Sequence, residues 1–365
     1  MLTKKQKIER AVISVLKVLP VKENRISFLC YNCTQYSCNP KYITEYLHRT
    51  YGDKYELIWF YTDENVRKLF PSYVKAYRKN SPAYFCSLLT SRFVISNVTL
   101  PRVVDFRKEQ ICINTWHGTA FKGDSNSHGN DYNRFNYFLA ENELTAGVLR
   151  RPDSFAYTGE IEKTGMPRND CLIRGDSERA AKVRETLGIR QDEKILLYAP
   201  TFRDTEGEDA FEIDFRALQQ SLVDRFGGEW RILLRFHHMQ KGRPSAEHAV
   251  DVTSYPDMQE LLLASDILIT DYSSSMWDFS LMQKPVFLFS GDLEHYIKEE
   301  RGDFYYPYSR LPFPTAADSR ELCSRIAQFE EEAYLSAVSE YHRELGRFNI
   351  CGDATEKFVK KFLKS

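Results

Sequence analysis

The sequence predicts an α/β protein of two lobes, each built on a parallel sheet that is covered by helices on both faces. Apolar strand-like runs alternate with helical segments along almost all of the 365 residues, and this alternation is typical of parallel sheets. A polar stretch at Gly175–Lys194 separates two sets of runs. We therefore predict an N-terminal lobe over residues 21–190, a C-terminal lobe over 191–345 and a final helix over 346–365. Because such sheets bind ligands beyond the carboxyl ends of their strands, we expect the site in a cleft between the lobes.

The individual strands are predicted from short apolar runs that end in polar residues. In the first lobe these runs are Ile26–Cys30, Leu57–Tyr61, Phe93–Ser96, Ile111–Asn114 and Tyr137–Leu139. In the second lobe they are Lys194–Tyr198, Arg231–Arg235, Ile267–Thr270 and Val286–Phe289. Apolar residues at helical spacing predict intervening helices at Tyr42–His48, Tyr84–Leu89, Phe211–Asp224 and Asp257–Ala264. Asp257 and Glu260 have the spacing of a capping box.

Residues 1–20 predict a basic amphipathic helix in front of the first lobe. Apolar side chains recur at helical spacing from Ile8 to Leu19, among four lysines and one arginine. Such a helix can lie on an anionic membrane surface. A helix packed on its own domain, with solvated lysines, is the other interpretation, and the sequence leaves both open.

The composition excludes several classes of protein. A net charge of −1, from 50 basic and 51 acidic residues, does not favour nucleic acid as a partner. No apolar run is long enough to span a membrane, and we recognise no signal peptide. The chain has one CxxC pair, at Cys30 and Cys33, and no second pair at the spacing of a zinc site, so we expect reduced cysteines in the cytoplasm and no bound metal. There is no P-loop, GxGxxG or GxSxG motif, which argues against ordinary kinases, Rossmann dehydrogenases and α/β-hydrolases.

The clearest candidate site is the segment SDILITDYSSSMWD at residues 265–278. It predicts a buried strand that ends near Thr270, a polar turn with Ser273 and Ser274, and a helix that begins near Met276. The positive end of such a helix suits a phosphate. One serine alone is more often a simple N-cap, but three in a row favour a ligand site. Asp278, on the first helical turn, has the position of an acid that binds ribose hydroxyls.

Four further polar clusters follow predicted strands or turns. His117 and Gly118, with Lys122 nearby, suit a general base that a substrate can approach closely, although a structural histidine is the plainer interpretation. A Gly/Pro turn presents Arg168 and Asn169, where Asn169 or Asp170 can instead cap a helix. The other two clusters carry groups that suit phosphate, with solvated loop residues as the plain alternative: Thr201 and Arg203 after one strand, and Arg235 and His237 after the next.

Taken together, TWHGTAFK, GMPRND, YAPTFRD, RFHH and SDILITDYSSSMWDF resemble, in this order, the motifs of the CDP-glycerol glycerophosphotransferase family. These enzymes are primases and polymerases of teichoic acids and related capsule polymers. The resemblance also includes Asn39-Pro40 and the segment from Asp292 to Gly302. It implies a GT-B-like pair of Rossmann-type lobes that face a central cleft. It further implies transfer of a polyol phosphate from a CDP-activated donor to a hydroxyl of a lipid-linked saccharide or polymer, with release of CMP.

The resemblance also implies roles for individual residues. His117 is similar to the base that deprotonates the acceptor, and His237 to a second essential histidine near the donor phosphates. Donor phosphate contacts are implied for Ser273, Ser274, Arg235, Thr201 and Arg203. Nucleotide contacts are implied for Asp278 and Thr270, and acceptor-side positions for Gly118, Lys122, Arg168 and Asn169. The basic helix fits peripheral attachment to the inner face of the cell membrane.

Two departures from the family pattern lie on the acceptor side. His238 follows the second histidine and Ala120 follows HGT, where the family usually has proline. The sequence therefore leaves open whether the polyol is glycerol, ribitol or another, whether one unit or many are added, the acceptor and the oligomeric state. No resident cofactor is expected, although Mg²⁺ on the donor phosphates would leave few marks. The alternatives are a GT-B glycosyltransferase or sugar-nucleotide epimerase, and a non-catalytic module of a polymer-assembly complex.

Overall fold

The computed structural model describes residues 2–122, 131–201, 213–236 and 248–363, and of residues 300 and 301 it describes the backbone only. Within these ranges the chain forms two sheets, one of seven strands and one of six. Every strand pair in both sheets is parallel. The prediction of two α/β lobes with parallel sheets is therefore confirmed.

The N-terminal sheet has the strand order β3-β2-β1-β4-β5-β6-β7. Its strands are β1 (Lys22–Leu29), β2 (Glu56–Tyr61), β3 (Lys75–Arg78), β4 (Ser91–Ser96), β5 (Ile111–Asn114), β6 (Tyr137–Leu139) and β7 (Glu160–Glu162). The helices that precede the second sheet in the chain are α1 (Lys4–Ser14), α2 (Cys38–Tyr51), α3 (Glu64–Lys68), α4 (Pro82–Thr90), α5 (Glu143–Arg150), α6 (Asp170–Arg174) and α7 (Ser177–Leu187). Helix α7 packs through Val183 into the apolar cluster of the C-terminal sheet. Phe28 and Leu29 belong to different apolar clusters, as do Val94 and Ile95. Because neighbouring side chains on a strand point to opposite faces, both faces of this sheet are covered.

The C-terminal sheet has the strand order β10-β9-β8-β11-β12-β13. Its strands are β8 (Lys194–Tyr198), β9 (Trp230–Leu234), β10 (Ala249–Asp251), β11 (Ile267–Thr270), β12 (Val286–Phe289) and β13 (Thr315–Ala316). The helices that follow β8 in the chain are α8 (Phe215–Phe226), α9 (Met258–Ala264), α10 (Ser275–Ser280), α11 (Leu293–His295), α12 (Ser319–Ala327), α13 (Glu331–Glu344) and α14 (Ala354–Phe362), with a π-helical turn at Tyr296–Arg301. Strands β8, β11 and β12 are almost wholly buried, which explains their continuous apolar runs.

The last helix, α14, returns to the N-terminal lobe. Its Phe358, Val359 and Phe362 pack into the apolar cluster that β1, β2 and β4 form on one face of their sheet. Asp170 caps the start of α14, because its carboxylate accepts hydrogen bonds from the backbone N–H groups of Ala354 (3.0 Å) and Thr355 (2.8 Å). Asp170, which the sequence suggested as a cap for its own helix α6, therefore caps α14 instead and joins that helix to the first lobe.

The N-terminal segment forms helix α1 and then a 3-10 turn at Val15–Val18. Ile13 is buried against the first lobe, and Lys17 is paired with Asp105 at 2.5 Å. The opposite face is open, with Ile8, Val12 and Val15 each about two-thirds exposed (68%, 66% and 67%). Among the described residues, no helix has the length and the apolar character needed to cross a bilayer.

Four strands of the described residues were not predicted from the sequence, and the predicted bounds of one helix differ from those observed. Strands β3, β7, β10 and β13 were not predicted, because they are short and lie at or near sheet edges, where few apolar residues are needed. Helix α8 begins at Phe215 and ends at Phe226. The predicted start at Phe211 lies outside the described residues.

Candidate functional site

His117 lies in the loop that follows β5, at the carboxyl edge of the N-terminal sheet. Its Nδ1 is 2.7 Å from the backbone carbonyl oxygen of Asn97, in the loop after β4. Because a carbonyl oxygen only accepts, Nδ1 carries the proton and Nε2 is the basic nitrogen of the neutral ring. The ring also contacts those of Trp116 and Tyr31, with centroids 4.1 and 5.5 Å away. The histidine thus has the tautomer and the place of a general base.

Asn39, the first residue of the Asn-Pro pair, is hydrogen-bonded to the loop that carries His117. Its Nδ2 donates to the carbonyl oxygens of Thr115 (2.9 Å) and Trp116 (3.0 Å). Its Oδ1 accepts from the backbone N–H of Arg168 at 3.0 Å. One buried amide therefore joins the His117 loop to the Gly/Pro turn, a role that the sequence did not indicate.

Gly118 brings the His117 loop against the serine turn of the other lobe. A Cβ atom added at Gly118 would lie 2.3 Å from the Oγ and 3.0 Å from the Cβ of Ser274. A side chain at this position would force the Ser274 hydroxyl to move, so the candidate base and the candidate phosphate turn lie close together across the cleft. The structure thus brings together two predicted clusters that are more than 150 residues apart in the chain.

The Gly118→Ala variant is expected to unfold at lower urea concentration, because overpacking of this kind typically costs about 1–3 kcal/mol. We expect Ser274→Gly to recover much of that loss in the Gly118→Ala background, since it removes both clashing atoms. The measurement is urea unfolding of the two single variants and the double variant. Additive losses in the double variant would contradict the close approach.

The serine turn connects β11 to the short helix α10. Ser273 accepts hydrogen bonds through Oγ from the backbone N–H (3.2 Å) and the hydroxyl (2.9 Å) of Ser275. Ser274 is the N-cap residue and makes no side-chain cap. Both are half-buried, whereas Thr270 is buried and donates its hydroxyl to the carbonyl oxygen of Ala199 at 2.7 Å. Ser273 and Ser274 therefore lie at the cleft, and Thr270 lies beneath them.

Thr201 lies after β8, beside the serine turn. Its backbone N–H and its hydroxyl both donate to the carboxylate of Asp271, at 2.9 and 2.6 Å. Asp271 thus joins the loop after β8 to the loop after β11. This bond makes Thr201 part of the support of the turn, and its contact with a donor phosphate stays a prediction.

Arg235 lies directly after β9 at the same edge of the sheet. Its Nη1 donates to the carbonyl oxygen of Tyr255 at 2.8 Å. Burial lowers the pKa of its guanidinium, with partial compensation by Asp257 and Tyr31. Arg203 and His237, the other two predicted groups on this side, lie outside the described residues, as does His238.

Asp278 is the centre of a buried network that joins the two lobes. Its carboxylate accepts from Arg168 Nη2 (2.8 and 3.1 Å), Asn169 Nδ2 (2.7 Å) and Gln259 Nε2 (2.8 Å). All four side chains are nearly inaccessible to solvent. Burial alone would lower the pKa of Arg168, but the charge of Asp278 raises it above its ordinary value. The predicted nucleotide contact of Asp278 and the predicted acceptor contacts of Arg168 and Asn169 are not part of this geometry and stay predictions.

A second ionic network joins the lobes at α2 and α9. Lys41 Nζ lies 2.8 Å from Asp257 and 2.6 Å from Glu260. Burial alone would lower the pKa of Lys41, but these carboxylates raise it. The predicted capping box is therefore half correct. Asp257 caps α9 by accepting from the backbone N–H of Gln259, whereas Glu260 turns to Lys41 and Arg179 instead of the helix start.

Lys122 is the last described residue of the loop that carries His117 before the gap at residues 123–130. Its Nζ is 3.3 Å from the hydroxyl of Tyr296, and its backbone forms an antiparallel bridge with Phe304 of the second lobe. The neighbouring Phe121 carbonyl oxygen accepts from the backbone N–H of Tyr305 at 2.6 Å. The loop that carries His117 is thus anchored to the other lobe beyond the serine turn.

Glu141 is a buried carboxyl group that the sequence did not single out. Its Oε1 accepts from the hydroxyl of Thr145 at 2.8 Å, and Thr145 Oγ1 in turn accepts from the backbone N–H of Ala120. Burial raises the pKa of Glu141 to about 7, against the lowering effect of hydrogen bonds from Thr119 and Thr145. In the sequence, Glu141 is marked only as an acidic residue after β6. Such a position does not single out a functional carboxylate unless its burial is known.

Comparison with known proteins gives consistent results. The sequence model of the family described as CDP-glycerol:poly(glycerophosphate) glycerophosphotransferase matches residues 11–356. A teichoic acid poly(glycerol phosphate) polymerase of Bacillus spizizenii is 28% identical, over 98% of this chain and 96% of its own length. A teichoic acid glycerol-phosphate transferase of Staphylococcus aureus is 30% identical, over 99% of each. A solved structure of the wall teichoic acid polymerase TagF has a TM-score of 0.82 at 28% identity, covering 97% of this chain and 92% of that chain. The GT-B-like fold is therefore confirmed.

Proposed function

This chain belongs to the CDP-glycerol:poly(glycerophosphate) glycerophosphotransferase family, and we propose that it transfers glycerol phosphate from CDP-glycerol to a hydroxyl of a lipid-linked saccharide or polymer. The observation that carries the proposal is the approach of Gly118 to Ser274 across the cleft. It supports a site in which a base from one lobe and a phosphate-binding turn from the other act on the same substrate pair.

The proposed reaction needs positioning and charge more than covalent help from the protein. His117 Nε2 takes the proton of the acceptor hydroxyl, and the hydroxyl oxygen bonds to the phosphorus that carries glycerol. The bond from that phosphorus to the bridging oxygen breaks, and CMP leaves with the electron pair. A phosphodiester forms on the acceptor, and the proton that His117 gained passes to solvent.

The donor phosphates are proposed to bind at the carboxyl edge of the second sheet, where polar groups follow three neighbouring strands. The described groups are Ser273, Ser274, Thr201 and Arg235, and the proposal also includes Arg203 and His237, which lie outside the described residues. Positive charge and hydroxyl donors at this place stabilise the charge that develops as CMP departs. We further propose that Thr270 and Asp278 belong to the nucleotide site and that Lys122, Arg168 and Asn169 belong to the acceptor side.

The test is acceptor-dependent release of CMP by the purified protein. CDP-glycerol and CDP-ribitol are offered in turn, with and without a lipid-linked saccharide, and with Mg²⁺ or a chelator. CMP from CDP-glycerol only when the acceptor is present is the expected result. CMP from CDP-ribitol alone would correct the polyol. Silence with both donors, in protein shown to be folded, would overturn the proposal and favour a nucleotide-sugar donor.

We also propose that α1 holds the protein on an anionic membrane surface, where a lipid-linked acceptor would be presented. Ile8 and Val12 of the helix and Val15 of the 3-10 turn after it form one exposed apolar face, and exposed Lys4, Lys5 and Lys7 add positive charge. Apolar burial at the interface and attraction to anionic lipids act together in such helices. The helix therefore packs on the first lobe through Ile13 and keeps a second apolar face exposed.

Replacing Ile8, Val12 and Val15 together by serine is expected to weaken binding to anionic vesicles by about tenfold or more, because three aliphatic side chains no longer enter the interface. Vesicle sedimentation measures the effect. The matched control replaces Leu69, Val223 and Val250, which are exposed on other elements, and is expected to bind as the unchanged protein does. Equal binding of both triple variants would exclude α1 as the contact.

A further inference from the structure

The turn between β1 and α2 has an unusual backbone. Tyr31, Asn32 and Cys33 have φ values of 42°, 56° and 74°, so three successive non-glycine residues are left-handed. Side chains disfavour this region, and such residues persist only where the surrounding structure holds them. Strain of this kind is concentrated at functional sites, which directs attention to what the turn touches.

Asn97 is one of the groups that hold the turn. Its Oδ1 accepts a hydrogen bond from the backbone N–H of Tyr31 at 2.8 Å. The carbonyl oxygen of Asn32 accepts from Lys79 Nζ at 3.1 Å, and that of Cys33 from the backbone N–H of Thr62 at 3.0 Å. The strained backbone is therefore fixed from three directions.

The same Asn97 also holds the imidazole of His117. Its backbone carbonyl oxygen is the group that lies 2.7 Å from Nδ1, while its side chain binds the turn that carries Tyr31. The ring of Tyr31 then lies against the imidazole, with the centroids 5.5 Å apart and the planes inclined at 60°. The Asn97 carbonyl oxygen and the Tyr31 ring thus both contact the imidazole of His117. Both contacts depend on Asn97, because its side chain also binds the turn that carries Tyr31.

We propose that Asn97 and Tyr31 are positioning residues that fix the tautomer and the orientation of His117, with Asn97 setting the proton on Nδ1 and Tyr31 opposing rotation of the ring. This inference rests on the proposed role of His117 as the base. A ring free to turn would present the protonated nitrogen to the acceptor for part of the time and would lose that part of its activity as a base.

The groups around Tyr31 are compatible with this role. Burial raises the pKa of Tyr31 well above its ordinary value, and Cys38 adds to that effect while Arg168 opposes it. The phenol therefore stays neutral and places no charge beside the imidazole. Besides His117, the titratable and charged groups that act on the Tyr31 side chain, among the described residues, include Cys30, Cys38, Arg168 and Arg235.

The decisive variants are Asn97→Asp, Tyr31→Ala and Tyr31→Phe. Aspartate keeps an oxygen for the N–H of Tyr31 but adds a negative charge near the imidazole, which raises a histidine pKa by about one unit or more. We expect the acid limb of the kcat profile to move to higher pH by that amount. Tyr31→Ala is expected to lower kcat at least tenfold with little change in KM for the donor, and Tyr31→Phe, which keeps the ring, to restore most of it.

A second readout does not depend on activity. In protein labelled with ¹⁵N at histidine, the signal of His117 is assigned by its loss in His117→Gln. We expect the Nδ1–H form in the unchanged protein, a higher titration midpoint in Asn97→Asp and a mixture of tautomers in Tyr31→Ala. An unchanged midpoint in Asn97→Asp, or an unchanged tautomer and kcat in Tyr31→Ala, would overturn the inference. Absence of CMP release by the unchanged protein would instead refute the proposed function, and the histidine spectra would still decide the positioning role.

Discussion

Replacing His117 by alanine is expected to reduce CMP release by about a hundred- to ten-thousand-fold, which is the usual contribution of a positioned general base. The acceptor hydroxyl then loses the group that we propose takes its proton, because His117 Nε2 is the basic nitrogen of that ring. The donor contacts are proposed to come from the other lobe. Binding of CDP-glycerol, measured by calorimetry, is therefore expected to change little.

A matched control is His248→Ala, since His248 is exposed and lies next to the edge strand β10, outside the proposed site. Its turnover is expected to equal that of the unchanged protein. Normal turnover in His117→Ala would refute the assignment of the base. Loss of donor binding in the same variant would instead place His117 among the groups that hold the donor.

Replacing Asp278 by alanine is expected to lower the free energy of unfolding by about 3–5 kcal/mol, the usual cost of breaking a buried ion pair from one side. Arg168 is only 2% exposed and would keep its charge without a carboxylate. The amides of Asn169 and Gln259 would lose the same acceptor. Because this network joins the lobes, we expect the loss to affect the unfolding of both. Urea unfolding followed by fluorescence measures it.

The control for this change is Glu340→Ala, which removes a carboxylate from an exposed pair with Arg343 at 3.3 Å on α13. Exposed pairs contribute about 0–1 kcal/mol, so a small effect is expected. Adding Arg168→Met to Asp278→Leu should recover part of the stability, since no buried charge then remains. An effect of Asp278→Ala no larger than that of Glu340→Ala would contradict the network.

Much of the candidate site could be predicted because it follows from local pattern. Polar residues after an apolar run mark the carboxyl end of a parallel strand, and this placed His117, Thr201, Arg235 and Ser273 at the cleft edge. The same signal is present at Asn97, directly after the strand Ser91–Ser96, and it was overlooked. Tyr31 carried no comparable signal, because a left-handed turn of three non-glycine residues has no sequence mark.

The sequence by itself determined the α/β class, the central strands and the order of the polar clusters, since buried strands require continuous apolar runs whatever surrounds them. Only the tertiary structure decided which clusters meet. Asp278 had the position of a ribose-binding acid, yet its oxygens are bound by Arg168, more than 100 residues away, and by Gln259 on another helix. The sequence suggested that Gly118 lets a substrate approach the histidine, yet in the structure the residue that comes close to Gly118 is Ser274 of the other lobe. Such pairings depend on how the two lobes pack, and the local sequence around each residue does not indicate its partner.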